Sequence, residues 1–208
     1  MSKKLEKKAS EEKWRLFEAE AAYANSIFRG AIGDMEASIA AAERALEMKP
    51  DYPPAVLTMG SIEYQRGKPE EGERLFSSLI SLPDESGDLW EVIDKAGDFL
   101  IHERRYAEGL DLYRAAIERF PERSVLYQGL GCCAGHQKMF DEAIEASQKA
   151  VELEPDSQVF VNDLGWTLFI AGRLEEAEEV LSKAVDMDPS DERARENLRI
   201  CRAARSEE

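Results

Sequence analysis

Small and large apolar residues recur along this chain with a fixed period. A shift of 34 residues brings Gly131 onto Gly165 and Pro155 onto Pro189. With three residues removed around Gly87, the same register extends back to residue 19. A recurrence of this length is the signature of stacked structural repeats. It divides the sequence into five units, 19–52, 53–89, 90–123, 124–157 and 158–191.

Three positions of each unit carry a small residue, with Leu79 as the one exception. They are the eighth (Ser26, Gly60, Gly97, Gly131, Gly165), the twentieth (Ser38, Gly72, Gly109, Ala143, Ala177) and the twenty-seventh (Ala45, Leu79, Ala116, Ala150, Ala184). Glycine inside a helix costs about 1 kcal/mol relative to alanine, so its recurrence at one phase indicates that a second helix approaches closely. Larger residues between them, such as Val161, Leu164 and Leu181, are predicted to fill the helical core.

Each unit also carries signals for one turn and one stop. The turn between its two predicted helices lies at Gly33-Asp34, Gly67-Lys68, Arg104-Arg105, Lys138-Met139 and Gly172-Arg173. A proline, which cannot continue a helix, ends the second helix at Pro50, Pro83, Pro121, Pro155 and Pro189. Because glycine after a helix is a common C-cap, every unit is predicted to be a helical hairpin.

The spacing of these residues is similar to that of a known repeat family. It is clearest in Tyr127-Gln-Gly-Leu-Gly131, Phe140-Asp-Glu-Ala143 and Gln148-Lys-Ala-Val-Glu-Leu-Glu-Pro155. Over 19–191 the chain resembles tetratricopeptide repeats (TPR); the first unit departs most, with Asn25 and Ser26 in place of Leu-Gly. The resemblance implies an all-α fold, an α-solenoid forming a right-handed superhelix of five helix-turn-helix repeats with a C-terminal capping helix.

The segments outside the repeats are predicted to be helical as well. Residues 192–204 place Ala194, Leu198 and Cys201 on one side, as a capping helix requires, and 205–208 form a tail. At the other end, Ser10 is predicted to cap a helix that runs to about Arg29, with 1–9 as a solvated basic tail. Residues 1–18 thus form a tail and an extension of the first helix.

Two aromatic residues, Trp14 and Phe17, lie on that extension ahead of the repeats. They continue the apolar phase of the first unit. The preferred interpretation is intramolecular packing that covers the first repeat. Self-association with a second copy, or docking of another protein, is the alternative.

The resemblance also implies that first helices line a concave groove that binds extended or helical peptides. The candidate groove residues occupy matching positions in the units and are Tyr23, Ile27, Thr58, Ser61, Tyr64, Gln65, Asp94, Asp98, His102, Gln128, His136, Asn162, Asp163, Trp166 and Phe169. Trp166 and Phe169 share a helical face and form either an exposed anchor or a pair covered by the capping helix. Asn162 is expected to hydrogen-bond a ligand backbone or simply to be solvated.

The best-known site of the family clamps the terminal carboxylates of chaperone tails with lysines, an arginine and asparagines. The corresponding places here bear Tyr23, Ile27, Thr58, and Glu91 with Lys95. The cationic set is missing, so binding of Hsp90-type or Hsp70-type tails is not expected. A segment with basic and apolar residues suits Asp94, Asp98 and Asp163 better.

Composition narrows the classes of partner. The chain has 27 Lys and Arg against 43 Asp and Glu, a net charge of −16, which disfavours nucleic acid and anionic lipid. No stretch approaches the roughly 18 apolar residues of a membrane span, and no signal-peptide core follows Met1. Three cysteines, two of them adjacent, form no disulfide framework, so a cytoplasmic location is expected.

The residues also give little sign of catalysis or metal binding. Cys132 and His136 share a helical face, but two ligands are too few for structural zinc. No catalytic residue, cofactor or metal is predicted. The sequence therefore predicts a non-enzymatic adaptor that binds a polypeptide in its groove. The alternative is a self-assembling protein whose first helix enters another copy's groove, and the choice between monomer and homo-oligomer stays open.

Overall fold

The structure is a computed structural model that describes residues 2–206, with side chains from Lys7 onward. Over this range the chain forms eleven α-helices and no strand. The helices are α1 (Ser2–Ala31), α2 (Met35–Met48), α3 (Pro53–Gln65), α4 (Pro69–Leu79), α5 (Leu89–His102), α6 (Tyr106–Arg119), α7 (Ser124–His136), α8 (Phe140–Leu153), α9 (Gln158–Ile170), α10 (Leu174–Met187) and α11 (Glu192–Arg205). Five helical hairpins followed by one more helix make up the all-α solenoid expected from the sequence.

Local sequence signals explain where the helices begin and end. The Asp34 and Asp191 carboxylates accept hydrogen bonds from the backbone N–H groups of Ala37 and Arg193, which caps α2 and α11. The turn inside each hairpin uses a left-handed residue, and three of the five are glycines. Arg104 and Lys138 take the same conformation, with φ of 59° and 60°, although they have the side chains that disfavour it.

The chain divides into two compact units, Met1–Ala96 and Gly97–Glu208, and the boundary falls inside α5. We call them the N-terminal unit and the C-terminal unit. The N-terminal unit contains the hairpins α1–α2 and α3–α4. The C-terminal unit contains α6, the hairpins α7–α8 and α9–α10, and α11.

Close helix contacts occur at the small residues, as the sequence predicted. A Cβ atom on Gly60 would overlap the ring of Phe76, and one on Gly165 would lie 2.7 Å from Leu181 Cγ. In the first hairpin serines replace the glycine, and the Ser38 hydroxyl donates to the Ser26 carbonyl at 2.8 Å. The twenty-seventh position of every repeat is at most 2% exposed. These positions permit close approach.

The last helix, α11, caps the C-terminal unit. Its Ala194, Leu198 and Cys201 side chains are buried, and Leu198 and Cys201 join a core cluster with Leu168 and Leu181. The opposite side of α11 carries charged residues that stay exposed. The helix thus covers the apolar end of the last hairpin and presents a polar surface to solvent, as the end of a repeat array needs.

The start of the chain differs from the sequence prediction. The first helix begins at Ser2, not at Ser10, and Lys7–Glu11 and Lys8–Glu12 ion pairs at i,i+4 spacing support this part of it.

The prediction that Trp14 and Phe17 pack within the chain is also wrong. Their side chains are 62% and 58% exposed, and their rings contact each other at a centroid distance of 5.9 Å. Both residues lie on the side of α1 opposite the buried Ala19, so no described residue of the N-terminal unit buries the two rings.

No helix among the described residues is both long enough and apolar enough to cross a bilayer.

Candidate functional site

In the C-terminal unit, the end of α5 and the first helices α7 and α9 present a row of equivalent residues. Asp98 on α5, Cys132 on α7 and Trp166 on α9 are spaced by one repeat length. The carboxylates of Asp163 and Asp98 both act on the Cys132 thiol, whose pKa is raised first by burial and then by these negative charges. We define the first-helix face of this unit by Asp98, Gln128, Cys132, Asp163 and Trp166.

Asp98 is the free anion of this face. Its side chain is exposed, and among the described residues it has no hydrogen-bond or ion-pair partner. Desolvation by the surrounding protein raises the pKa of its carboxyl, because the charged form loses part of its hydration. A cationic ligand group beside it would offset that loss.

Asp163 differs from Asp98 because the protein itself satisfies its carboxylate. Gln128 Nε2 donates to one oxygen at 2.6 Å, and Arg193 of α11 lies 3.4 Å from the other. That Asp163 suits a basic ligand therefore stays a prediction. Its charge contributes to the face, while its hydrogen-bonding capacity is largely used.

The predicted exposure of Asn162 in a groove is wrong. The residue is 1% exposed, and its Oδ1 accepts a hydrogen bond from Asn197 Nδ2 of α11 at 3.0 Å. Its amide nitrogen lies 3.4 Å from Asp163 Oδ1. The capping helix covers this position, so Asn162 joins α9 to α11 and is not available to a ligand backbone.

Trp166 and Phe169 form an aromatic pair with a ring-centroid distance of 5.0 Å. Both are half-buried. Phe169 packs partly against the core cluster that includes Leu198 of the capping helix, so each of the two sequence-based alternatives holds in part. The pair leaves an apolar surface one repeat away from Cys132.

The two histidines lie at the turn end of the first helices and are both exposed. The His136 ring stacks on Tyr106 with centroids 3.9 Å apart and planes 7° apart. This contact fixes the His136 ring, whereas His102 has no comparable neighbour among the described residues. No sequence pattern indicated the role of Tyr106, which lies on the second helix α6.

The candidate residues of the N-terminal unit are less uniform. Tyr23 contacts Tyr52 edge-to-face at 5.7 Å, and Ile27 is 50% exposed. Thr58, Ser61 and Asp94 are half-buried and Gln65 is exposed.

Tyr64 was predicted to line the groove, and this is wrong. It is 8% exposed, and its ring lies against Gly72 and 5.4 Å from the Phe76 ring. The absent side chain at Gly72 makes room for the Tyr64 ring inside the hairpin, so this tyrosine belongs to the core.

The cysteines have environments that suppress reactivity. Burial, followed by the charges of its neighbours, raises the pKa of Cys133 to about 12, and all three thiols are free. A thiol with a raised pKa is a poor nucleophile and a poor metal ligand at neutral pH. Within the part of the chain that the structure describes, no group of three or more His, Cys, Asp or Glu side chains could hold a metal ion.

Sequence reasoning missed the contribution of α11 to this face. Arg193 and Asn197 reach Asp163 and Asn162, and Gln158 Nε2 donates to Asp191 at 2.8 Å. Asn197 follows Asn162 by about one repeat length, so α11 continues the first-helix register. That spacing was the available signal.

Stacked helical hairpins, small residues where the helices meet and a polar capping helix define a helical-repeat protein. Models of the tetratricopeptide repeat match residues 29–52, 96–157 and 136–199. The chain belongs to the tetratricopeptide repeat family.

Solved structures of this family share the fold. The MamA fragment 41-end from Desulfovibrio magneticus RS-1 superposes with a TM-score of 0.61 at 19% identity, covering 84% of this chain and 97% of that one. YrrB, described as a TPR protein with an unusual peptide-binding site, gives 0.59 at 22% identity, covering 90% and 94%. The first TPR domain of Spaghetti (RPAP3), solved bound to the HSP90 peptide SRMEEVD, gives 0.53 at 22%, covering 56% and 93%. No curated protein matches the chain.

Proposed function

We propose that this chain is a non-enzymatic adaptor whose first-helix face in the C-terminal unit binds a segment of another protein with basic and apolar side chains. The fold is that of a protein–protein interaction scaffold. The observation that carries the proposal is the row Asp98, Cys132 and Trp166, which combines an unpaired carboxylate with a half-buried aromatic side chain.

The electrostatics of the face favour a cation. Asp98 and Asp163 lie near the same thiol, and only Asp163 has cationic and amide partners of its own. A lysine or arginine of the ligand beside Asp98 would form a charge-assisted hydrogen bond. An acidic segment would meet two carboxylates and be repelled.

Apolar contact supplies the second part of the binding. The Trp166 and Phe169 rings give a ligand side chain a large rigid surface, and aromatic residues dominate binding energy at such surfaces. The side chains of Gln128 and Asp163 are already fixed by their hydrogen bond. Binding therefore requires little ordering of the receptor, and a short peptide can suffice.

A chaperone-tail ligand does not fit this proposal. One structural relative, the first TPR domain of Spaghetti (RPAP3), was solved with an acidic HSP90 peptide. In this chain the places that the clamp would use hold Tyr23, Ile27, Thr58 and Glu91, and only Lys95 is basic. We therefore propose no binding of acidic chaperone tails.

Titration calorimetry with three synthetic peptides tests the proposal. The peptides alternate leucine with lysine, with glutamate or with serine. The Lys–Leu peptide should bind most tightly and the Glu–Leu peptide least. Equal or tighter binding of the Glu–Leu peptide would refute the proposed ligand class.

Variants locate the binding to the first-helix face. Asp98→Asn should weaken Lys–Leu binding by roughly three- to ten-fold, and Trp166→Ala should weaken all three peptides. Asp186→Asn is the matched control, because Asp186 is an exposed carboxylate on the second helix α10. An equal effect of Asp186→Asn would mean that the ligand responds only to net charge.

The alternative function, self-assembly in which α1 enters another copy's groove, is favoured by the exposure of Trp14 and Phe17. Light scattering on the full chain and on a chain without residues 1–18 tests it. An unchanged mass after the deletion argues against this alternative.

A further inference from the structure

α1 carries a second apolar side in addition to the one that packs on α2. The side facing its own hairpin contains Ala19 and Ser26, both completely buried. On the opposite side lie Trp14, Phe17, Ala21, Ala24, Phe28 and Ala31, and all six are exposed. We call these six residues, with Ile32, the outer face of α1.

The spacing of the outer face is that of a coiled-coil seam. Its residues alternate in steps of three and four, which is the a and d pattern of a heptad repeat. Ile32 extends it, since its backbone N–H still donates to the Phe28 carbonyl at 3.2 Å. A surface helix normally carries charged residues opposite its buried side, and an exposed apolar seam of this length is typical of an interaction surface.

We propose that the outer face of α1 packs antiparallel against the outer face of α1 in a second copy of this chain. Such a dimer is independent of peptide binding by the C-terminal unit, because none of its contacts uses the first-helix face. It joins two adaptors, and two linked sites bind a multivalent partner with higher avidity than one.

The size of the outer face suits this partner. Trp14, Phe17, Phe28 and Ile32 are between 58% and 62% exposed. Aromatic side chains cover roughly 150–250 Å² each, so the face offers on the order of 500 Å² per copy. Two copies together reach about 1,000 Å², the lower limit for a specific interface.

Charge also favours α1 as the place where two copies meet. The whole chain has a net charge of −16, which opposes association over most of its surface. Residues 7–31, however, hold five basic and four acidic side chains. Their near neutrality lets two copies approach here without strong repulsion.

An antiparallel arrangement pairs the largest residue of the seam, Trp14, with a small one. If Ala21 of one copy meets Ala24 of the other, Trp14 lies opposite Ala31 and Phe17 opposite Phe28. The two alanines allow the helices to cross closely, and opposed helix dipoles attract each other weakly. A parallel pairing would place Trp14 on Trp14 and Ala31 on Ala31.

Two other occupants fit less well. Phe28 and Ile32 could not enter another copy's groove with α1, because α2 runs beside this part of α1, as the Arg44–Glu18 and Ser38–Ser26 contacts show. Head-to-tail stacking would bring the outer face of α1 in one copy against α11 of the next copy. The exposed side of α11 carries two ion pairs, Arg199–Glu196 and Arg202–Glu178. Burying such pairs is costly.

Light scattering of the full chain at micromolar concentrations tests the dimer. We expect twice the chain mass of 23.4 kDa for the wild type and the single mass for Ala24→Glu, which places a charge at the centre of the seam. Ala203→Glu, an equivalent change at an exposed alanine of α11, should remain dimeric. Because Ala24 is exposed, Ala24→Glu should still fold, and an unchanged helical circular dichroism spectrum would show that it does.

A monomeric wild type overturns the proposal, and so does a dimer that survives Ala24→Glu. A second experiment tests the orientation, in a Cys132→Ser background that removes the exposed thiol. Under oxidation, a mixture of Ala21→Cys and Ala24→Cys chains should cross-link faster than either variant alone. Faster cross-linking of each single variant with itself would overturn the antiparallel arrangement.

Discussion

The ring of Tyr113 on α6 occupies the space that a side chain on Gly129 of α7 would need. The same ring fills the space beside Gly97 of α5, and Tyr113 is completely buried. Two first helices thus approach one aromatic residue from both sides. This contact sets the spacing between α5 and α7, and with it the distance between Asp98 and Cys132.

The contact between Gly129 and the Tyr113 ring predicts that one added methyl group at Gly129 strongly destabilises the protein. Gly129→Ala should lower the free energy of unfolding by roughly 1–3 kcal/mol, because the buried Tyr113 ring cannot move aside freely. Gly135→Ala in the same helix is the control, since a Cβ there meets only the end of Ile170, at 3.1 Å. Chemical denaturation measures both, and equal destabilisation by the two changes would contradict this account of Gly129.

The left-handed turn residues Lys138 and Gly172 predict opposite effects of substitution on stability. Lys138 has a φ of 60°, whereas Gly172 has 79° at the same place in the next hairpin. Lys138→Gly should stabilise the protein by about 0.5–1 kcal/mol, the cost of the left-handed conformation less the entropy of glycine. Gly172→Lys should destabilise it by a similar amount. A loss of stability in Lys138→Gly would mean that its side chain contributes more than its backbone costs.

Glu63 predicts a pH dependence of stability in the N-terminal unit. Its side chain is only 7% exposed and lies 2.8 Å from Arg66 and 3.3 Å from Lys68. Burial alone would raise its pKa, but the hydrogen bond from Arg66 and the positive charge of Lys68 outweigh burial and hold the pKa below its usual value of 4.5. The stabilisation is therefore complete above the unfolded-state pKa and is lost as pH falls through the lower folded-state value.

Glu63→Gln should accordingly lower the melting temperature at pH 7, by an amount equivalent to roughly 1–3 kcal/mol. The difference from wild type should shrink as pH falls below about 4. Glu73→Gln, an exposed residue of α4, should have little effect throughout. A difference that stays constant with pH would show that the ion pairs of Glu63 do not stabilise the fold.

Asp98 predicts a pH dependence of ligand binding. Desolvation raises its pKa above the usual 3.8, and a basic ligand requires the charged carboxylate. Affinity for the Lys–Leu peptide should therefore be full near neutral pH and decrease as pH falls towards the raised pKa. Calorimetry on wild type and Asp98→Asn checks this, and an identical pH profile for both would exclude Asp98 as the cation site.

The sequence predicted the architecture well because repetition tests each position several times. The small residue at Gly60 or Gly165 recurs in other units, and a chance match could not repeat with this register. The functional face was predicted less well. Asn162 is covered by α11, and Tyr64 turns into the space left by Gly72, so the exposure of each depends on packing with one particular neighbour.

The start of the chain was not predicted correctly, for a related physical reason. Nothing repeats before Ser10, and the helix there is supported by ion pairs of Lys7 and Lys8 that lie outside the repeat pattern. The apolar phase of Trp14 led to the prediction that it packs inside the chain, and the 62% exposure of that side chain shows that this was wrong.

Nuclear magnetic resonance of the tryptophan indole groups tests the proposed site most directly. The chain has three tryptophans, and Trp14→Phe and Trp166→Phe variants assign their N–H signals. Titration with the Lys–Leu peptide should shift the Trp166 signal and leave the Trp14 signal in place. A shift of Trp14 alone, or a saturating peptide that leaves Trp166 unmoved, would contradict binding at the first-helix face.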